Sequence, residues 1–193
     1  MPAAKIPLSV VIIAKNAASQ IAACIESVAF ADEILVVDSG SEDETRAIAE
    51  VRGCRVIEKE WLGFGRQKQF AVGEARHDWV LCLDIDERVT PSLEAGIRDA
   101  LERQNHKAWR MRRRNRFLGR WLAHGEGYPD WSLRLFHRQF ASWSNDPVHE
   151  AVITTADVGS VDGDLLHDSA EDVSTYLAKQ NRYSSLHAEA LFQ

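Results

Sequence analysis

Residues 8–15 form a short apolar, β-branched run with no polar alternation, the pattern of a strand buried on both faces. Residues 20–29 follow with helical character, and 33–38 (Glu-Ile-Leu-Val-Val-Asp) repeat the buried-strand pattern before the turn pair Ser39-Gly40. Ser41 and Glu44 have the Ser-x-x-Glu spacing of a capping box, in which each side chain satisfies the other residue's free amide. The helix they predict ends near Arg52, because Gly53 suits the left-handed position just past a helix. Residues 55–58 read as a third strand, 65–76 as a helix and 79–83 (Trp-Val-Leu-Cys-Leu) as a fourth buried strand. Thr90 caps a further helix with Pro91 at its first position, where the missing amide costs nothing. Strands alternating with helices predict an α/β fold, Rossmann-like, with a mostly parallel central sheet and helices on both faces.

After residue 108 the pattern changes. Residues 108–113 alternate, 132–137 and 148–154 look like strands, and 159–167 carry Gly and Asp turn signals. These read as mixed or antiparallel strands added to the same sheet. From Glu171 onward, Val173, Tyr176, Leu177, Tyr183, Leu186 and Leu191 follow helical spacing, and the chain stops there without a capping signal. Without repeats or low-complexity linkers, the 193 residues predict one domain with two halves, about 8–107 and about 108–193.

The hydrophobic fraction of 45% and charged fraction of 27% are those of a globular protein with a sizeable core. Cys24, Cys54 and Cys82 lie inside apolar segments with no pair at metal-ligand spacing, which predicts buried reduced thiols and a cytoplasmic protein. No apolar run approaches the about 18 residues needed to span a bilayer, and the opening residues lack the apolar stretch of a secretory leader. The net charge of −6 is uneven. Lys107, Arg110, Arg112, Arg113, Arg114, Arg116 and Arg120 give residues 107–120 a local +7 with no acid. A concentrated cationic patch on an acidic body points to an anionic small ligand or lipid headgroup and away from nucleic acid.

Three loops at the carboxyl ends of the first, second and fourth strands carry the chemistry. Asp84-Ile85-Asp86-Glu87 leaves a buried strand at the edge where open α/β sheets bind ligands. Extended Asp-x-Asp carboxylates face opposite ways, so a bend is needed for both to approach one site. One can then hold a hard divalent cation, Mg²⁺ or Mn²⁺, and the other a ribose hydroxyl or a metal-bound water. Asp38 ends the second strand before Ser39-Gly40-Ser41, where it can accept from a nucleotide or serve only its own loop amides. Ala14-Lys15-Asn16 closes the first strand, and Asn16 suits either a nucleobase contact or a turn. A haloacid-dehalogenase phosphatase also uses Asp-x-Asp, but on its first strand and with Thr or Val two places on, where this chain has Arg88. A nucleotidylyltransferase needs a glycine-rich basic loop after the first strand, which residues 14–18 are not. A non-catalytic sugar- or lipid-binding module stays as the rival reading.

Residues 8–16, 34–45 and 83–87, with Gly63-Phe64-Gly65-Arg66-Gln67-Lys68 between them, resemble the nucleotide-binding half of family-2 inverting glycosyltransferases of the GT-A fold. Residues 112–121, Tyr128-Pro129-Asp130-Trp131, 133–136, the 147–150 segment ending in Glu150 and Leu165-Leu166-His167 resemble the branch that glucosylates the inner core of lipopolysaccharide. The resemblance covers about residues 8–185. It implies that Ala14, Asn16, Asp38, Lys68 and Asp84 contact a UDP-sugar donor, and that Asp86 and His167 hold the divalent metal. It implies Glu150 as the base that activates the acceptor, with Asp130 as the alternative and His149 as structural support. Six arginines within residues 110–120, near Trp109, Phe117 and Trp121, suit an anionic sugar acceptor, with Arg113 and Arg116 as acceptor contacts, or else only solubilise an exposed strand. Two departures stand out. Relatives commonly continue past this end with a tail near the membrane, which leaves peripheral membrane contact open. Glu126 takes the place of an expected small residue in the loop 124–127.

Overall fold

A computed structural model describes residues 5–125, 127–146, 150–170 and 181, without the side chains of 169 and 170. In chain order the elements are β1 (Leu8–Ala14), α1 (Ile21–Glu26), β2 (Glu33–Asp38), α2 (Thr45–Val51), β3 (Arg55–Glu58), α3 (Phe64–Glu74), β4 (Trp79–Asp84), β5 (Glu87–Val89) and α4 (Pro91–Arg103). There follow β6 (Ala108–Phe117), β7 (Arg120–Trp121), β8 (Asp130–His137), β9 (Ala141–Trp143), β10 (Val152–Thr154) and β11 (Val158–Ala170).

The sheet runs β3-β2-β1-β4-β8-β6-β11-β5, with β7 paired to β6 outside that path. β1 to β4 are parallel to one another, and β6 and β11 are parallel to each other. β8 enters antiparallel between β4 and β6, and β5 closes the far edge antiparallel to β11. Every residue of β1 is buried, as a central strand covered on both faces requires. Its side chains alternate between two cores. Val10 and Ile12 pack with Ile21, Cys24, Ala49 and Ile97 from α1, α2 and α4, while Val11 and Ile13 pack with Ala71 and Val72 from α3. The helices therefore cover both faces, as their apolar spacing predicts. Burial pushes the thiols of Cys24 and Cys82 up to about 12 and that of Cys54 up to about 11, so they behave as core side chains.

Local chemistry matches the pattern at several ends. Thr90 accepts the Leu93 amide with Pro91 in the first turn, and Gly53 has φ +77° after α2. The capping box is corrected. Helix α2 begins at Thr45 after Glu44, with no side-chain cap, because Ser41 is drawn into bonds with Asp38 and Asn16 instead. The thirteen-residue β11 occupies the stretch whose Gly and Asp signals read as turns. Those signals mark an irregularity inside the strand. Gly163 has φ +103°, a Cβ there would lie 2.3 Å from the Leu93 amide nitrogen, and the pairing with β6 shifts between Ser160 and Asp164. β9 and β10 also depart from expectation, pairing as a separate two-stranded sheet over α3. Strand β10 starts at Val152. Pro147, Val148, His149, Glu126 and the helix-patterned stretch 171–193, except Asn181, lie outside the described residues.

Candidate active site

The order β3-β2-β1-β4 reverses direction at β1, and the crevice beyond the carboxyl ends of β1 and β4 is where such sheets bind ligands. Two loops there are clamped together. Ser41 Oγ donates to Asp38 Oδ1 and accepts the Asn16 amide at 2.8 Å, while Asn16 Oδ1 accepts the Glu42 amide at 2.9 Å. Thr45 Oγ1 accepts the Ala17 amide at 2.7 Å, and Asp43 accepts the Ala18 amide at 3.0 Å. Asn16 reaches this geometry with φ +49°, a conformation asparagine tolerates. Asp38 itself is fully buried and accepts the Gly40 and Ser41 amides at 3.0 and 2.8 Å, so its carboxylate serves its own loop. The Ala14 carbonyl accepts the Ser39 amide at 2.9 Å. Most polar side chains of residues 38–45 thus hold the crevice wall in shape.

At the end of β4 the two aspartates part company, as a bend there requires. Glu87 accepts the Asp84 amide at 2.9 Å and closes the turn through Ile85 and Asp86. Asp84 meets Lys68 Nζ at 2.9 Å and Arg134 Nη2 at 2.7 Å. Both cations are buried, and both lie over the Trp143 ring, Lys68 at 4.7 Å and Arg134 at 5.6 Å. Burial alone would push the Asp84 carboxyl up, but the charges of Arg134 and Lys68 hold it well below the usual carboxylate range. Arg134 also donates to the fully buried Glu87 at 2.7 Å. Lys68 reaches Glu150 Oε1 at 3.0 Å, so one ammonium joins Asp84 at the end of β4 to Glu150 ahead of β10. Gly65 permits that approach. A Cβ on it would lie 2.1 Å from the Ser144 carbonyl oxygen and 3.3 Å from Glu150 Cβ.

Asp86 and His167 meet, with Nε2 3.4 Å from Oδ2. Strand register brings them together. β5 pairs His167 with Glu87, the residue after Asp86, and the Asp168 amide donates to the Asp86 carbonyl at 3.0 Å. Asn115 sits opposite His167 on β6, and its Oδ1 is 2.7 Å from His167 Nδ1. The Asn115 amide nitrogen faces the Gly127 carbonyl at 3.3 Å and Asp130 Oδ2 at 3.2 Å, which leaves Oδ1 as the acceptor toward His167. His167 Nδ1 therefore donates to Asn115, which turns Nε2 to the side of Asp86. A histidine held in this way by an orienting partner is suited to ligate a metal. A carboxylate and an imidazole in this arrangement fit a divalent cation that takes its other ligands from diphosphate and water, as Mg²⁺ and Mn²⁺ do.

Asp130 is already engaged. Arg113 Nε and Nη2 donate to its Oδ2 at 2.8 and 2.7 Å. Burial raises its carboxyl, yet the Arg113 charge outweighs that and holds it below the ordinary range, so Asp130 is a poor proton acceptor. Arg113 also lies 3.7 Å from Glu87, and Arg116 pairs with Asp168 at 2.8 Å. The even-numbered arginines of β6 share the other face, where Arg110 lies over Trp131 at 4.7 Å and Arg116 over Trp121 at 5.8 Å. The sequence reading missed Arg134, Glu87, Asn115 and Trp143. For Arg134 a signal existed. It is a charged residue inside the apolar run Leu133–Phe136, and the register shift opposite Trp109 and Arg110 falls beside it.

Residues 9–156 match the profile of Glycosyl transferase family 2. The chain is 31% identical over 193 residues to the lipopolysaccharide core biosynthesis glycosyltransferase LpsC of Rhizobium meliloti, covering 96% of this chain and 72% of that protein. It is 33% identical over 203 residues to an uncharacterised glycosyltransferase of Rickettsia bellii, covering 96% of this chain and 68% of the other. Among solved structures, residues 1–349 of TarS from S. aureus share the fold, with a TM-score of 0.63 at 14% identity over 85% of this chain and 61% of that one. Glucosyl-3-phosphoglycerate synthase from Mycobacterium tuberculosis, in complex with Mn²⁺, UDP-glucose and phosphoglyceric acid, superposes with a TM-score of 0.50 at 25% identity, over 57% of this chain and 45% of that one.

Proposed function

Since this chain belongs to glycosyltransferase family 2, we propose that it transfers a hexose, glucose in our reading, from a UDP-sugar to a heptose hydroxyl of an inner-core lipopolysaccharide precursor. The meeting of Asp86 and His167 beside Asp84, at the carboxyl end of β4, is the observation that carries this reading. The likeness to LpsC supports the acceptor class, and the UDP-glucose and Mn²⁺ bound by the mycobacterial synthase support the donor and the metal.

In this mechanism the Asn16–Ser41–Asp38 clamp forms the wall against which the uridine lies, with Ala14 at its base. Asp84, kept ionised by Lys68 and Arg134, orients the ribose. Asp86 and His167 would hold a divalent cation, which when bound would supply Lewis-acid neutralisation of the leaving diphosphate. Glu150 takes the proton of the acceptor hydroxyl as its oxygen attacks the anomeric carbon, and the bond to UDP breaks in line with inversion. Asp130, which takes two bonds from Arg113, holds Arg113 and Asn115 in place. Arg113 borders the acceptor side and steers its anionic groups, while Arg116, on the opposite face of β6 and paired with Asp168, would reach an acceptor only beyond that face. The reaction takes place on the cytoplasmic side, where nucleotide sugars are made.

Calorimetry of UDP binding tests the reading. Wild-type protein should bind UDP with Mn²⁺ present and far more weakly without it. Asp86→Ala should lose the metal-dependent part while its thermal midpoint holds, since removing a partly exposed acid costs little. Unchanged metal-dependent affinity in that variant would remove Asp86 from the role, and equal UDP affinity of the wild type with and without Mn²⁺ would favour a binding module that needs no metal.

A further inference from the structure

The hairpin between β6 and β7 ends in the turn Phe117-Leu118-Gly119-Arg120, with Phe117 paired to Arg120. Leu118 has φ +48° and Gly119 φ +77°, so both central residues are left-handed, as a type I′ turn demands. Asparagine, aspartate or glycine ordinarily fills the first of those positions, and a leucine there is conformationally costly. This leucine is also 45% exposed, with Trp121 beside it 37% exposed. Fold stability gives no reason for an apolar side chain at a strained, solvated tip. Arg120 sits in the turn and Arg114 two residues before the Arg116–Trp121 pair. Arg112, Arg113 and Arg116 are neutralised by Asp164, Asp130 and Asp168, whereas Arg110, Arg114 and Arg120 have no carboxylate partner among the described residues. An apolar and tryptophan-bearing tip with Arg120 in its turn and Arg114 farther back on the same hairpin complements an anionic bilayer. The leucine reaches the acyl boundary, tryptophan takes the headgroup level, and the guanidinium groups meet lipid phosphates.

We propose that the β6–β7 hairpin is a membrane-docking element that inserts Leu118 into an anionic phospholipid surface. The inference builds on a lipid-carried acceptor. The hairpin continues the strand that bears Asn115, and the Leu122 amide donates to the Asn115 carbonyl at 2.9 Å, so docking would set the active site against the surface from which the acceptor protrudes.

Co-sedimentation with vesicles of phosphatidylcholine alone, and with about one-third phosphatidylglycerol, tests it. Wild-type protein should partition onto the anionic vesicles and little onto the neutral ones. Leu118→Asn suits the turn better than leucine, so the fold is kept, and should lower the partition coefficient about tenfold. Arg120→Gln should lower it about fivefold on anionic vesicles alone. UDP binding with Mn²⁺, measured on the same proteins, should be equal in all three. Equal vesicle binding by wild type and Leu118→Asn, or none by wild type, overturns the proposal. So does a wild-type dimer that Leu118→Asn converts to monomer without vesicle binding, which would make the tip a self-contact. Vesicle binding that follows these variants in a protein without UDP affinity would leave the hairpin assignment standing and sink the glycosyltransfer reading instead.

Discussion

The two halves of the molecule deliver functional groups to the crevice by different means. In the first half the acids are strand ends. Asp38 is the last residue of β2 and Asp84 the last of β4, so the burial that sets each strand also sets its acid. In the second half Asn115, Asp130, Arg134 and His167 lie inside strands or at a strand start, and partners in other elements place them. Arg113 fixes Asp130, Asn115 fixes His167, and Asp84 with Glu87 fixes Arg134. Apolar packing of the strands places the acids of the first half, and ion pairs and hydrogen bonds between elements place the polar groups of the second. Tolerance should differ accordingly. A buried strand forgives polar changes at its tip, while an ion-paired network transmits the loss of one member to the rest.

The largest effect should fall on turnover. Glu150→Gln should depress kcat by about 10²–10⁴ with UDP affinity retained, as loss of a general base does. Asp130→Asn should chiefly raise the acceptor KM. Steady-state kinetics on the two amide variants, made side by side, would exchange the roles if Asp130→Asn lost kcat and Glu150→Gln kept it. Next comes Arg134→Leu. It removes the buried cation that Asp84 and Glu87 share, leaving Lys68 on Asp84 and only the more distant Arg113 near Glu87, and should cost about 3–5 kcal/mol in urea unfolding. A loss under about 1 kcal/mol would place Arg134 with surface ion pairs and blur the contrast between the halves. The smallest effect belongs to Asn115→Leu. With the proton position on His167 no longer fixed, Mn²⁺-dependent UDP affinity should fall about 10–100-fold, while metal-free UDP binding stays as it was. An unchanged affinity would show that His167 is oriented by its strand alone.

The same contrast explains how much could be read beforehand. Strands β1 to β4 are legible because each is a run of apolar residues with no competing signal, and their acids follow from position at the run's end. Ser41 misleads because a serine can serve a helix cap or a neighbouring loop equally well. Only the fold brings Asn16 within reach of it. Strand β5 is too short, and β11 too rich in Gly and Asp, to register as strands. Their pairing depends on a register shift that no local pattern announces. Asp86 and His167 were legible as separate residues through resemblance. The reason His167 presents Nε2 rests on Asn115, whose role exists only across strands.

Strand β11 has a consequence for the order of events on the ribosome. It lies between β6 and the edge strand β5, so Glu87–Val89 has no partner in the sheet until residues 165–167 have been made. At roughly 5–20 residues per second, that interval lasts several seconds. Throughout it the nascent chain can form the parallel strands β1 to β4 and present Asp84 and Asp86, but it has no histidine to set beside them. The His167–Asp86 pair closes late in synthesis, only as the last described strand is laid in beside β5.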